Sequence, residues 1–201
     1  MSATNQRDHA IRIAPSDPER ALSQAEEIDD PWVSTQALAA VLRYGPEHRI
    51  DVVCRRALVR AGECSDAYRR GAALAWLIRA LAERGHTSQA TTVLDECVRQ
   101  ALQSTPAGSR SEALYLLYQA AYPLGQRIVA PLLRHLSALQ ESAPHWRASR
   151  ALAHALAMHS VIAPDSFSSI VSSVRDPRIS PRVHRYIALG LTRPREFFWE
   201  P

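Results

Sequence analysis

The sequence predicts an all-α chain, a right-handed α-solenoid of about five antiparallel helical hairpins. Three observations predict it. Hydrophobic residues make up 46% of the 201 and are mostly Ala and Leu, while aromatic residues are only 6%. That mix favours close helix packing over sheets, because Ala and Leu head the helix scale. Glycines number only 7, and the 13 prolines fall mainly between apolar-periodic runs, as helices joined by short turns require. Finally, a pattern recurs: a turn, an aromatic or polar opening, arginines, then an Ala-Leu pair. The pairs begin at Ala37, Ala73, Ala113, Ala151 and Ala188, separated by 36, 40, 38 and 37 residues. A lone hairpin of that size cannot bury its apolar face, so neighbours stack and share a core.

The elements follow in order. Residues 1–14 are polar apart from Ile11 and Ile13 and read as a flexible lead-in, with those two pinned against the first helix. Ser16-Asp17-Pro18-Glu19 is a helix start, with a capping residue, Pro at the first position and an acid in the first turn. That helix runs to about Ile28, and Asp29-Asp30 turns the chain into a helix over Pro31–Arg43, stopped by Gly45-Pro46. Four more pairs follow: Glu47–Ala61 with Asp66–Arg84, Ser88–Gln103 with Ser109–Tyr122, Gln126–Glu141 with His145–His159, and Pro164–Arg175 with Pro181–Leu191. One helical-repeat domain therefore spans 15–192. Residues 193–201, R-P-R-E-F-F-W-E-P, form an aromatic C-terminal tail that caps the last repeat or mediates self-association.

Charge and cysteine usage narrow the function classes. The net charge is +4 and the pI about 9.3, with all 24 basic residues arginine and 20 acids scattered among them. Such interspersion argues against one strong basic patch. Cys54, Cys64 and Cys97 make an odd number without C-x-x-C spacing, which points away from a disulfide framework or a thiolate zinc site. No apolar leader and no long uninterrupted apolar run occurs, so a cytoplasmic protein without a membrane span is expected. The late histidines His135, His145, His154, His159 and His184 lack metal-ligand spacing and read as solvated or core-edge. No glycine-rich phosphate loop and no nucleophile elbow is present, so neither cofactor nor catalytic residue is assigned.

The later units resemble HEAT repeats. Ala130-Pro131-Leu132-Leu133 holds the proline typical of a first HEAT helix, and Asp176, Pro181-Arg182-Val183-His184-Arg185 and Ala188-Leu189-Gly190 resemble the D…V-R…A-L-G pattern. Asp30-Pro31-Trp32 is similar to the opening of bacterial helical repeats of the D-P-x-W-R-A-x-A-L type. The arginine three places before the pair is present as Arg70, Arg110 and Arg185, while Ser34 and Ala148 replace it elsewhere. The resemblance implies a HEAT-like or ARM-like solenoid, with a TPR-like arrangement as second choice. It also implies that these arginines bond turn aspartates such as Asp30, Asp66 and Asp176, or neighbouring carbonyls.

Two sets of candidate binding residues stand out. One is the arginine ladder in the first turns of second helices: Arg70, Arg110, Arg147, Arg150, Arg182 and Arg185, with Trp146 beside it. A cation there opposes the helix dipole, so something must offset it: a structural partner or an awaited anion. The other is Tyr115 with Tyr122 seven residues on, an aromatic stripe where other units carry alanine; it is either a partner-binding hot spot or a filler of space. Tyr118 reads as core. The expected function is a non-catalytic binding module or adaptor holding a protein partner on its concave face. The alternative is nucleic-acid binding along the arginine-lined face, as in HEAT-like DNA glycosylases, though no aspartate-aromatic constellation of that enzyme type can be assigned. A small immunity-type protein neutralising one dedicated partner is a third option.

Overall fold

The computed structural model describes residues 1–195. Among these residues lie eleven α-helices, two single 3-10 turns and no strand, so the chain is all-helical as expected. The expected aromatic tail falls mostly outside the described residues. The chain divides into two compact units, one formed by residues up to Cys97 and one by Val98–Arg195. No helix among the described residues is long and apolar enough to cross a membrane.

The first unit holds α1 (Ala3–Ile13), α2 (Pro18–Glu26), α3 (Pro31–Tyr44), α4 (Ile50–Gly62) and α5 (Ala67–Glu83). It is organised around α3, which packs against all four of the others. Nine consecutive residues of α3, Ser34–Leu42, are buried; only a helix covered on every side shows that pattern. Local chemistry sets its ends. Asp30 accepts from the backbone N–H groups of Trp32 (2.9 Å) and Val33 (3.1 Å), and Pro31 fills the first helical position. At the other end a Cβ on Gly45 would lie 2.7 Å from the Val41 carbonyl oxygen, so no other residue fits there without a shift.

Two arginines hold the turns around α3. Arg60, near the end of α4, donates to the Ile28 carbonyl (2.5 Å), the Asp29 carbonyl (3.1 Å) and Ser34 Oγ (3.2 Å). Arg84 donates to the carbonyls of Leu42 (3.0 Å) and Gly45 (2.5 Å) and to Glu47 (2.6 Å). Both place a cation on the unpaired carbonyls of a helix C-terminus, where the dipole favours it.

The segment expected as a lead-in is helical. Ser2 caps α1 by accepting from the Asn5 N–H, and Ala10, Ile11 and Ala14 are buried, so α1 packs on α2 and α3. Arg7 fixes its rotation, donating to Gln36 Oε1 at 2.8 Å while its guanidinium lies 5.9 Å from the Trp76 ring centre. Only two apolar side chains announce this helix in sequence; its stability comes from the surfaces of α2 and α3.

The second unit holds α7 (Ala107–Ala121), α8 (Gln126–Ser142, with Pro131 inside it), α9 (Trp146–Ile162), α10 (Pro164–Ser173) and α11 (Ile179–Ala188). α6 (Thr87–Gln103) carries the chain from the first unit into the second. Here α9 has the role that α3 has in the first unit. It packs against α7, α8, α10 and α11, and Ala151–His159 are buried without a break. Nine of the eleven helices begin within two residues of the position expected from sequence, because caps and prolines are local signals.

Candidate binding site

The arginine ladder separates into three groups. Arg70 and Arg110 turn back on their own hairpins: Arg70 Nη2 donates to the Gly62 carbonyl at 3.3 Å and Arg110 Nε to the Ser104 carbonyl at 3.0 Å. Each guanidinium thereby neutralises the negative end of the preceding helix, which offsets its own unfavourable place at a helix start. Of the two kinds of partner that the HEAT resemblance implied, turn aspartates or carbonyls, Arg70 and Arg110 reach carbonyls. Asp30 and Asp66 cap α3 and α5 through backbone N–H groups, with the Arg69 N–H 2.8 Å from Asp66. Asp176 takes up Arg178 (3.0 Å) and Gln140 (3.0 Å). Arg110→Met is expected to cost about 1–2 kcal/mol, the worth of a charge-assisted bond to a carbonyl. The control Arg182→Met should stay within about 0.5 kcal/mol in urea unfolding.

Arg147 and Arg150 form the second group, around Trp146. Their guanidinium carbons lie 5.3 and 5.4 Å from the indole centre, within cation-π range. Trp146 is 60% exposed. The His145 ring sits 5.8 Å from it, and His145 Nδ1 accepts from the Arg147 N–H at 3.2 Å, capping α9. These side chains rest on α7. A Cβ added at Gly108 would lie 3.5 Å from Arg147 Cδ and 3.6 Å from His145 Cε1, and Arg150 Nη2 reaches Glu112 at 2.5 Å. Among the described residues no carboxylate pairs with the Arg147 side chain. The third group, Arg182 and Arg185 on α11, lies half-buried and exposed respectively, away from any carboxylate among those residues.

The tyrosines point inward. Tyr115 is 6% exposed, and its hydroxyl bonds His154 Nδ1. Tyr118 is fully buried, as its helical position suggests, and its hydroxyl lies 3.1 Å from His159 Nδ1. Tyr122 is half-buried and donates to the Met158 carbonyl at 3.3 Å. The stripe at positions 115, 118 and 122 is thus a seam between α7 and α9, and Tyr115 presents no aromatic surface. His154 and His159, expected to be solvated or at the core's edge, are 7% and 0% exposed. Sequence reading missed these pairs. The available signal was spacing: each histidine lies about one repeat beyond its tyrosine, 39 and 41 residues on.

Burial pushes the His154 and His159 side chains below their ordinary value, and Arg195 and Arg150 push His154 further the same way. Burial likewise raises the Tyr115, Tyr118 and Tyr122 hydroxyls, so each stays protonated as a donor. Cys97 is pushed up to about 12 by burial, which makes it an inert core thiol. Among the described residues no three His, Cys, Asp or Glu side chains converge to hold a metal.

Between the end of α8 and the turn into α11 the second unit opens a cleft of about 440 Å³, lined by Gln140, Glu141, Pro144, Val174 and Arg175–Arg178 among others. Pro144 stands two residues before Trp146. Hydrogen bonds from Arg178 hold the Asp176 carboxyl down to about 2, so it stays ionised and committed to its partners. Comparison with models of known families, with curated proteins and with solved structures finds no match.

Proposed function

We propose that this chain is a non-catalytic helical-repeat binding module, built of HEAT-like hairpins, that holds a protein partner. The observation that carries the reading is Trp146: an indole 60% exposed, held in place by Arg147, Arg150 and His145 at the start of the helix on which the others of its unit pack. Exposed large aromatics and arginines dominate interface energetics when a partner excludes water from them. An indole fixed before binding also loses little conformational entropy on binding. The repeated layout, one buried second helix per unit with further helices against it, suits a HEAT-like solenoid.

The competing reading, nucleic acid along an arginine-lined face, is weakened by the commitment of Arg70 and Arg110 to carbonyls. A strand of phosphates needs successive uncommitted cations. A pull-down from the native host with the full chain as bait tests the proposal. It should recover one stoichiometric protein that Trp146→Ala loses and that Val161→Ala, an exposed change at the far end of α9, retains. Equal recovery with both variants, or recovery of nucleic acid alone, sinks the reading.

A further inference from the structure

Resting on that reading of Trp146 as a docking point, we infer that the partner presents an acidic segment: a carboxylate beside an apolar or aromatic side chain, lying on Trp146 and Arg147. The charge around the indole specifies the carboxylate. Arg147 and Arg150 flank the ring at 5.3 and 5.4 Å, yet only Arg150 has a carboxylate, Glu112 at 2.5 Å. Arg147 therefore holds an exposed guanidinium beside the indole with no carboxylate on it, and a guanidinium's planar fork can pair with a carboxylate through two parallel bonds. Its stem lies over Gly108, where an added Cβ would stand in ordinary contact with Arg147 Cδ (3.5 Å) and His145 Cε1 (3.6 Å). Little remains to be ordered when an acid arrives.

The same arrangement disfavours a phosphate backbone. Glu112 stands on the second guanidinium and would repel a following phosphate, whereas a peptide needs its acid only at Arg147. A glutamate beside a tyrosine or leucine matches that surface: one guanidinium without a carboxylate partner next to one exposed indole.

Fluorescence anisotropy with labelled short peptides tests this. The probes are an alternating Glu-Tyr peptide, its Gln-Tyr and Lys-Tyr counterparts, and a single-stranded oligothymidylate of similar length. The Glu-Tyr peptide should bind the full chain at least about tenfold more tightly than the Gln-Tyr peptide, and should weaken as salt is raised. Arg147→Gln and Trp146→Ala should each weaken it about fivefold or more, and Arg20→Gln, an exposed change on α2 of the first unit, should leave it unchanged. Equal binding of the Gln-Tyr peptide overturns the requirement for acid yet leaves the docking point standing, provided Trp146→Ala still abolishes binding. Tighter binding of the oligothymidylate overturns the peptide in favour of nucleic acid. No binding of the Glu-Tyr peptide overturns the inference outright, and the Trp146→Ala pull-down then decides separately whether the protein-partner reading survives.

Discussion

Leu38→Ala should lower the unfolding free energy of the first unit by about 2–5 kcal/mol, the range for deleting a buried leucine and leaving a cavity. Leu38 is fully buried at the middle of α3, the helix on which α1, α2, α4 and α5 all pack. Its loss removes contacts from several elements together, and the fixed backbones around it can close only part of the void. Urea unfolding followed by circular dichroism should show a lower midpoint with an unchanged slope. The exposed control Val59→Ala, 65% accessible on α4, should shift it by less than about 0.5 kcal/mol. Equal effects from the two substitutions would show that α3 is not the centre of its unit.

Acidification from about pH 7.5 to about pH 5 should destabilise the second unit, and His154 and His159 should account for the effect. Both are buried on α9 with Nδ1 committed to a tyrosine hydroxyl; the His159 Nε2 is buried without a hydrogen-bond partner among the described residues, and the Leu191 backbone stands at His154. Around His154 stand Tyr115 of α7, Tyr186 of α11, the Leu191 backbone and the cations Arg150 and Arg195, with Glu112 paired to Arg150; around His159 the polar neighbour is Tyr118. Burial makes the charged imidazole costly in the folded chain, so the folded values lie below the unfolded one, about 6.5. The unfolded chain therefore binds protons first as pH falls. The stability linked to these histidines is present above the unfolded value and is lost as pH falls through the folded values. The unfolding midpoint should drop over that window, and His154→Gln combined with His159→Gln should flatten the dependence. An unchanged slope in the double variant would place the acid sensitivity elsewhere.

The candidate site was only partly legible in sequence. Trp146 was visible as an aromatic after a turn, yet its counterparts Trp32 and Tyr68 are half-buried while it stands 60% exposed. Exposure depends on what packs above a position, and the repeat pattern carries no record of that. Arg70 and Arg147 look alike in sequence, both early in a second helix. A carbonyl of the preceding helix takes up the first, whereas the second lies over an indole. Tyr115 was conspicuous because aligned units carry alanine there; that excess volume is filled inward, against His154 and beside Tyr186.

What the sequence determined by itself was the run of helices and their limits, because caps, prolines and glycines act within a few residues of where they stand. Asp30-Pro31 opens α3 and Gly45-Pro46 closes it whatever lies around them. Tertiary structure alone decided that α1 folds, that Tyr115 and His154 meet inside, that Arg70 and Arg110 are spent on carbonyls, and that Trp146 stays outside. Each of these depends on residues from separate helices arriving at one place, and burial, charge pairing and exposure exist only once they have arrived.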